Sequence, residues 1–118
     1  MPRALAALTT LAVLAMLPSA ASASVIAEAS KACRVGNSRG YGTTYVLSIR
    51  VANVSCRTGR SVIRAFHACR PGRAGRCART SGYSCSERRF NRSPQSYDSR
   101  ATCTRGSRVV KHTYTQFT

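Results

Sequence analysis

His67 and His112 are the two histidines of the sequence, and their side chains are the best suited to acid–base chemistry near neutral pH. With Lys111 to stabilise a pentacoordinate phosphate, they could cleave RNA as general acid and base. Lys111 and His112 alternate on a predicted strand, however, and therefore face opposite sides. His67 is predicted on the charged side of a helix, and His112 on the core side. Because this pattern separates the groups, we expect no catalytic residues, and a small secreted ribonuclease-like enzyme stays an alternative.

Acidic side chains and cysteines offer no other catalytic or metal site. The three acids, Glu28, Glu87 and Asp98, form neither a carboxylate pair nor part of a nucleophile motif. The six cysteines include no Cys-x-x-Cys pair, and their spacing fits no zinc finger or zinc ribbon. The sequence therefore predicts a non-enzymatic protein without a metal ion or a cofactor.

A basic stripe is the strongest binding pattern in the sequence. Its first four members are spaced by three or four residues, which places them on one side of a helix. Segment 57–79 contains no acidic residue, whereas an ordinary solvated helix face mixes both signs of charge. Aromatic residues do not alternate with the basic ones, which favours a polymer backbone over base readout as the ligand. The predicted anion-binding residues, including those of the following loop, are Arg57, Arg60, Arg64, His67, Arg70, Arg73 and Arg76.

The loop between Cys69 and Cys77 supports a second alternative function. It contains one proline and two glycines, and either Arg73 or Arg76 could enter the pocket of a trypsin-like protease. A rigid loop closed by a disulfide is what a preorganised inhibitor needs. A secreted protease inhibitor with an arginine-bearing cystine loop therefore stays open.

The N-terminal segment has the three parts of a secretory signal peptide. Arg3 gives a positive start, an apolar run follows, and Ala21-Ser22-Ala23 fits a signal peptidase site. The apolar run is shorter than the roughly 20 residues that a membrane-spanning helix needs. We therefore expect export and cleavage before Ser24. The predicted organisation is a signal peptide over 1–23, a polar N-terminal arm over 24–42 and a small basic cysteine-rich domain over 43–118.

Net charge is the other large signal in the mature chain. It would carry 18 lysines and arginines (the 19 of the whole chain less Arg3) against three acids. This excess is larger than the net magnitude of about 2–8 that keeps a small domain soluble. The excess positive charge predicts that the protein binds an anionic polymer or a membrane surface, without specificity for a nucleic-acid sequence. We expect it to be a monomer that is secreted or attached to the cell envelope. The alternative is that the charge reflects an arginine-rich composition alone.

Six cysteines in an exported chain of this size indicate three disulfides. Cys69 and Cys77 are predicted to pair, because only seven residues join the helix end to the next strand. The other four cysteines allow three pairings, among which we favour Cys56–Cys85 and Cys33–Cys103.

Periodicity predicts an α+β fold, with one helix packed on a small antiparallel sheet that ends in a C-terminal hairpin and is stapled by disulfides. In the first strand, alternation predicts that Leu47, Ile49 and Val51 share the buried face. The predicted elements are a strand over 43–51, a helix over 57–70, a strand over 80–87 and hairpin strands over 97–103 and 108–117.

The hairpin turn is predicted at Arg105-Gly106, which would pair Cys103 with Arg108. In that register Arg100 lies opposite Lys111 on the outer face of the sheet. Two cations in such a position repel each other. The repulsion is relieved only if an anion or Asp98 lies beside them.

Segment 53–112 resembles a small secreted domain found in many actinobacterial genomes. The motifs that carry the resemblance are Val54-Ser55-Cys56 at the start of a helix, Gly82-Tyr83-Ser84-Cys85, and Ala101-Thr102-Cys103 followed by Arg105-Gly106 and Val109-Val110. They cover about half the chain and are mostly structural. The resemblance implies export and a disulfide-stapled α+β fold, and it implies no activity.

Overall fold

The computed structural model describes residues 12–13, 15 and 30–118, and the predicted signal-peptide cleavage site lies outside them. One helix packs on a six-stranded antiparallel sheet of order β1-β2-β6-β5-β4-β3, which confirms the predicted α+β fold. Residues 30–33, which the sequence placed in a polar arm, form the first strand of this sheet. The elements are β1 (Ser30–Cys33), β2 (Tyr45–Ala52), α1 (Cys56–Cys69), β3 (Arg79–Thr80), β4 (Tyr83–Phe90), β5 (Ser96–Arg105) and β6 (Arg108–Phe117).

Helix α1 begins at a polar cap and lies close to the sheet. The Ser55 hydroxyl accepts a hydrogen bond from the backbone N–H of Thr58 at 3.1 Å, which satisfies one of the free donors of the first turn. At Gly59 an added Cβ would lie 2.6 Å from Cγ1 of Val51, so only glycine allows the first turn to approach β2 this closely. Ile63 and Phe66 then fill the space between the helix and the sheet, and both are fully buried.

Strand β2 contains a β-bulge that the alternating sequence pattern does not predict. The register with β6 shifts between Val46 and Ser48. Since a bulge inserts one residue, the strand changes the faces of its side chains at that point. Val46 is buried and Leu47 is exposed, so the predicted inward position of Leu47 was wrong, whereas Ile49 and Val51 are buried as predicted.

The C-terminal hairpin turns at Gly106 and Ser107, with Arg105 paired to Arg108. Gly106 has a φ of +57°, the left-handed conformation that a two-residue hairpin turn needs at its first position. The predicted register is therefore wrong by two residues, and Cys103 pairs with Val110. A shift of two keeps every side chain on its predicted face.

Three disulfides connect these elements, and one of them was predicted correctly. The Cys69–Cys77 bridge joins the end of α1 to the segment before β3. The predicted Cys56–Cys85 and Cys33–Cys103 pairings are wrong, because the bonds present are Cys33–Cys56 and Cys85–Cys103. Cys33 lies on edge strand β1, next to the helix start, rather than in a free arm. The two cysteines of the third bridge lie directly opposite each other on β4 and β5.

Helix α1 has 14 residues and an amphipathic pattern. No helix within the described residues is both long and apolar enough to cross a membrane.

Candidate functional site

Three of the predicted anion-binding residues share the outer side of α1. Arg57 and Arg64 are exposed there and Arg60 is half-buried between them, as the spacing predicts. Two of these side chains have partners within the domain. Arg60 donates a hydrogen bond to the backbone carbonyl of Arg34 at 3.2 Å, and the Arg64 guanidinium lies 5.1 Å from the centre of the Tyr41 ring. We call Arg57, Arg60 and Arg64 the helix-face arginines.

His67 and Arg70 do not belong to this surface, which corrects two of the predicted site residues. His67 is 8 % exposed and Arg70 is 7 % exposed, so an anionic polymer outside the domain does not reach them. His67 follows the buried Ile63 by four residues, and Arg70 follows the buried Phe66 by four. Positions four apart lie one above the other on a helix, and both side chains therefore enter the interface with the sheet.

In this interface the two histidines, predicted to lie apart, are in contact. Nε2 of His67 lies 2.9 Å from Nε2 of His112, which projects from β6. Nε of Arg70 donates to Nδ1 of His67 at 3.2 Å. Because an arginine side chain only donates, His67 accepts at Nδ1 and carries its proton on Nε2. That proton is shared with Nε2 of His112, which leaves the His112 proton on a buried Nδ1 without a hydrogen-bond partner.

Both histidines are held neutral by this environment. Burial lowers the pKa of His67 to about 2, and repulsion from the Arg70 charge and from any proton added to His112 acts in the same direction. Burial also lowers the pKa of His112 to about 3, against the opposing effect of the Glu87 charge. Each basic lone pair already accepts a hydrogen bond, so in this arrangement the pair offers no free base to a substrate.

Arg70 has neutral partners only. It donates to the Tyr97 hydroxyl at 2.9 Å and to Oε1 of Gln116 at 2.6 Å, besides its bond to His67. Its guanidinium also lies 4.9 Å from the centre of the Tyr114 ring. These contacts fix the start of the 70–76 loop against the sheet, and they make Arg70 a structural residue.

Glu87 is the buried carboxylate that balances this region. It accepts hydrogen bonds from the hydroxyls of Tyr114 and Ser99, the latter at 2.7 Å, and it pairs with Arg89 at 2.7 Å. Burial alone would raise the pKa of Glu87, but the hydrogen bonds from Tyr114 and Ser99 and the charge of Arg89 outweigh it and lower the pKa. Glu87 therefore stays ionised inside the domain.

The loop after α1 presents fewer free arginines than the sequence predicts. Arg76 lies 3.7 Å from Oε1 of Glu87 and donates to the Glu87 backbone carbonyl at 3.2 Å. Arg73 is exposed, although its backbone carbonyl is fixed by Arg70 and Tyr97. Together with Arg39, Arg73 lines an open cleft of about 410 Å³. Of the three predicted loop residues, Arg70 is buried, Arg76 is exposed but paired with Glu87, and Arg73 is exposed.

A second basic surface lies on the outer face of the sheet, opposite the helix. Arg50 on β2 pairs directly with Lys111 on β6, and Arg88 on β4 pairs directly with Arg100 on β5. All four side chains are exposed. Lys111 lies opposite Thr102 rather than opposite Arg100, which corrects the predicted pair. We call Arg50, Lys111, Arg100 and Arg88 the cationic track.

Hydroxyl groups surround the cationic track. Ser48, Thr102 and Thr113 line a shallow depression of about 290 Å³ together with Arg50, Arg100 and Lys111. The hydroxyls of Ser48 and Thr113 lie 2.5 Å apart. The surface therefore combines positive charge with hydroxyl donors. Strand alternation around Arg100 and Lys111 indicated this face in the sequence, but only the register of β2 and β4 shows that two further arginines join them.

No known family, curated protein or solved structure matches the chain. The functional conclusion therefore depends on the two basic surfaces and the buried cluster of this chain itself. Within the described ranges, histidine, cysteine and acidic side chains form no group of three or more that could hold a metal ion.

Proposed function

We propose that this chain is a secreted, monomeric, cationic binding domain that associates electrostatically with an anionic polymer of the cell envelope. One observation carries the proposal. Residues 30–118 contain 18 lysines and arginines but only two acids, Glu87 and Asp98. Both ion pairs found among the described residues use Glu87, and they engage only Arg76 and Arg89. The other 16 of these 18 lysines and arginines form no ion pair with a carboxylate of the described residues.

The second acid, Asp98, forms hydrogen bonds to neutral groups rather than an ion pair. Asp98 accepts hydrogen bonds from Asn91 at 2.9 Å and from the Thr115 hydroxyl at 2.6 Å. These bonds lower its pKa, so Asp98 stays ionised, but it is directed toward neutral partners. An external polyanion would supply the missing negative charge and release its own counterions, which favours binding.

Export supports an envelope polymer as the partner. Three disulfides are typical of proteins that fold in an oxidising compartment outside the cytoplasm. The signal-peptide pattern of the first 23 residues points to the same destination. A polyanion of the cell envelope is therefore the class of partner that we propose.

The test is binding of the secreted chain, purified with its disulfides intact, to an immobilised anionic wall polymer. Affinity should fall steeply between about 50 and 200 mM salt, by a factor of roughly 10³ if about six charges are neutralised. A neutral polysaccharide of similar length serves as the control and should not bind. Salt-insensitive binding would indicate a shaped pocket or an inhibitor loop, and no binding to any polyanion at low salt would defeat the proposal.

A further inference from the structure

We infer that the cationic track on the outer face of the sheet, rather than the helix-face arginines, is the surface that binds the polymer, and that the ligand is a phosphodiester-linked wall polymer. This inference rests on the proposed function, because it assigns a surface and a chemical class to the same binding event.

The track places like charges directly opposite each other twice. Arg50 faces Lys111 and Arg88 faces Arg100, and the Cβ atoms of such cross-strand pairs lie about 4.5–5.5 Å apart. Like charges in this position destabilise a sheet. The acid on this face that could compensate, Asp98, is already bonded to Asn91 and Thr115. A bound anion between the pairs would remove the repulsion and gain two charge-assisted contacts at once.

The arrangement fits an extended chain better than a single small anion. The four cations come from four adjacent strands, β2, β6, β5 and β4, in two rows. Strands lie about 4.8 Å apart and alternate residues about 7 Å apart, so the track runs diagonally for roughly 16 Å. Successive charged groups of one linear polymer can therefore contact successive cations along it.

Phosphodiester groups match the side chains that surround the track. Arginine binds phosphate oxygens through two parallel N–H donors, and the track contains three arginines. Thr102 adds a hydroxyl donor within the same depression, and the hydrogen-bonded hydroxyls of Ser48 and Thr113 add one more. Each phosphodiester unit thus meets both a charge and neutral hydrogen-bond donors.

The aromatic and apolar side chains argue against nucleic acid and membrane as the ligand. Phe90 lies beside the track, but the Arg100 guanidinium covers its ring at 5.1 Å from the centre, so that ring face is not free for base stacking. Leu47 and Phe117 are exposed but are not among the residues of the depression. Insertion into a bilayer would need an apolar face, and the track has none.

The helix-face arginines are less available than the track. Both surfaces contain partnered cations, since Arg50 donates to Ser30 and Arg100 covers the Phe90 ring, as Arg64 covers the Tyr41 ring. All four track residues are exposed, however, whereas Arg60 at the centre of the helix face is half-buried and bonded to the carbonyl of Arg34. Because His67 and Arg70 are buried, the helix surface also has two fewer binding residues than the sequence predicts.

Two charge-matched variants test the assignment. The track variant carries Arg50→Gln, Arg100→Gln and Lys111→Gln, and the helix variant carries Arg57→Gln, Arg60→Gln and Arg64→Gln. Each loses three positive charges, so any difference between them reports position rather than net charge. Binding to purified poly(glycerol phosphate) is measured against salt for both variants and for the unchanged chain.

At about 0.1 M salt the track variant should bind on the order of 100-fold more weakly, and the magnitude of its log–log salt slope should decrease by about 2. The helix variant should lose less than about fivefold, because its charges lie on the far side of the domain, beyond a Debye length of about 10 Å. Equal losses, or a larger loss in the helix variant, would overturn the assignment of the track. If the unchanged chain binds no polyanion, the proposed function itself fails.

Thermal unfolding gives an independent readout. Without polymer at low salt, the track variant should melt at a higher temperature than the unchanged chain, because the repelling pairs are gone, while the helix variant should not. With poly(glycerol phosphate), only the chains with an intact track should gain stability. Mixed-sequence single-stranded DNA and phosphatidylglycerol vesicles are the competing ligands, and tighter binding of either at equal phosphate concentration would refute the ligand class.

Discussion

The buried histidine pair makes the stability of the domain depend on pH in a range where no other side chain titrates. In the folded chain His67 and His112 are neutral, since burial lowers the pKa of each to about 3 or below. In the unfolded chain both return to an ordinary pKa of about 6.5. Unfolding below pH 6.5 therefore takes up protons, and acid shifts the equilibrium toward the unfolded state.

The size of this effect follows from the number of histidines. The chain has only these two. For each, acidification from about pH 7.5 to pH 5 should lower the free energy of unfolding by about 2 kcal/mol, or about 4 kcal/mol for the pair. This is a large part of the roughly 5–15 kcal/mol that stabilises a typical domain. The result holds for any folded-state pKa well below 5, because both rings then stay neutral through the whole window.

The other titratable groups around the histidine pair do not cause a pH dependence of stability in the same range. Burial and the Glu87 hydrogen bond raise the pKa of Tyr114 out of this range. Glu87 and Asp98 have lowered pKa values, so their stabilising contribution is lost only in stronger acid, below their ordinary pKa near 4. The change in stability between pH 7 and pH 5 therefore comes from the histidines.

The assay is urea unfolding at several pH values between 5 and 7.5, with the disulfides intact. The free energy of unfolding should fall with a slope approaching 2.7 kcal/mol per pH unit near pH 5.5. His67→Gln or His112→Gln should halve this slope, and the double variant should remove it, whatever its stability at pH 7.5. A flat profile in the unchanged chain would mean that the histidines are exposed to solvent, and the described buried cluster would be wrong.

Two substitutions test the packing that positions both surfaces. Glu87→Gln should destabilise the domain by roughly 3 kcal/mol or more in chemical unfolding, because it leaves the partly buried Arg89 without its counter-ion; a loss below about 1 kcal/mol would show that the pair is solvated. Gly59→Ala should cost about 1–3 kcal/mol despite the better helix propensity of alanine, because its Cβ would press on Val51; Ser61→Ala, on the exposed side of the same helix, is the matched control, and a stabilised Gly59→Ala chain would contradict the close contact.

The local elements could be predicted from the sequence because their signals are local. The helix, the faces of the hairpin and the Cys69–Cys77 bridge depend on periodicity or on short separations. The inward position of His67 was also within reach, since it follows Ile63 by four residues. His67 also follows Arg60 by seven residues and Arg64 by three, and this spacing instead favoured the outer side of the helix. A residue at the boundary between two helix faces turns inward or outward according to the side chains that pack against it. The sequence alone does not show which side chains these are.

The remaining errors concern contacts between distant segments. The bulge at Leu47 depends on how β2 pairs with β6, and the pairing of Cys33 depends on edge strand β1. Arg50 and Arg88 were not recognised as site residues, because their importance arises only when β2 and β4 flank the hairpin. The whole sheet decides how strands that are far apart in the chain pair with each other. Periodicity within one strand does not predict this pairing.

The short edge strands have a consequence for copies of the chain that would bind side by side on the proposed polymer. A sheet edge with free N–H and C=O groups can recruit the edge of another copy and start aggregation. Here β1 has four residues and an exposed Lys31, and β3 has two residues and an exposed Arg79. Where β4 extends beyond β3, the segment before β3 covers part of its edge, with bonds to the Cys85 N–H and the Glu87 carbonyl. The Cys33–Cys56 bond also fastens β1 to the helix. Crowded copies should therefore stay separate and soluble on their scaffold, instead of merging edge to edge into insoluble fibres.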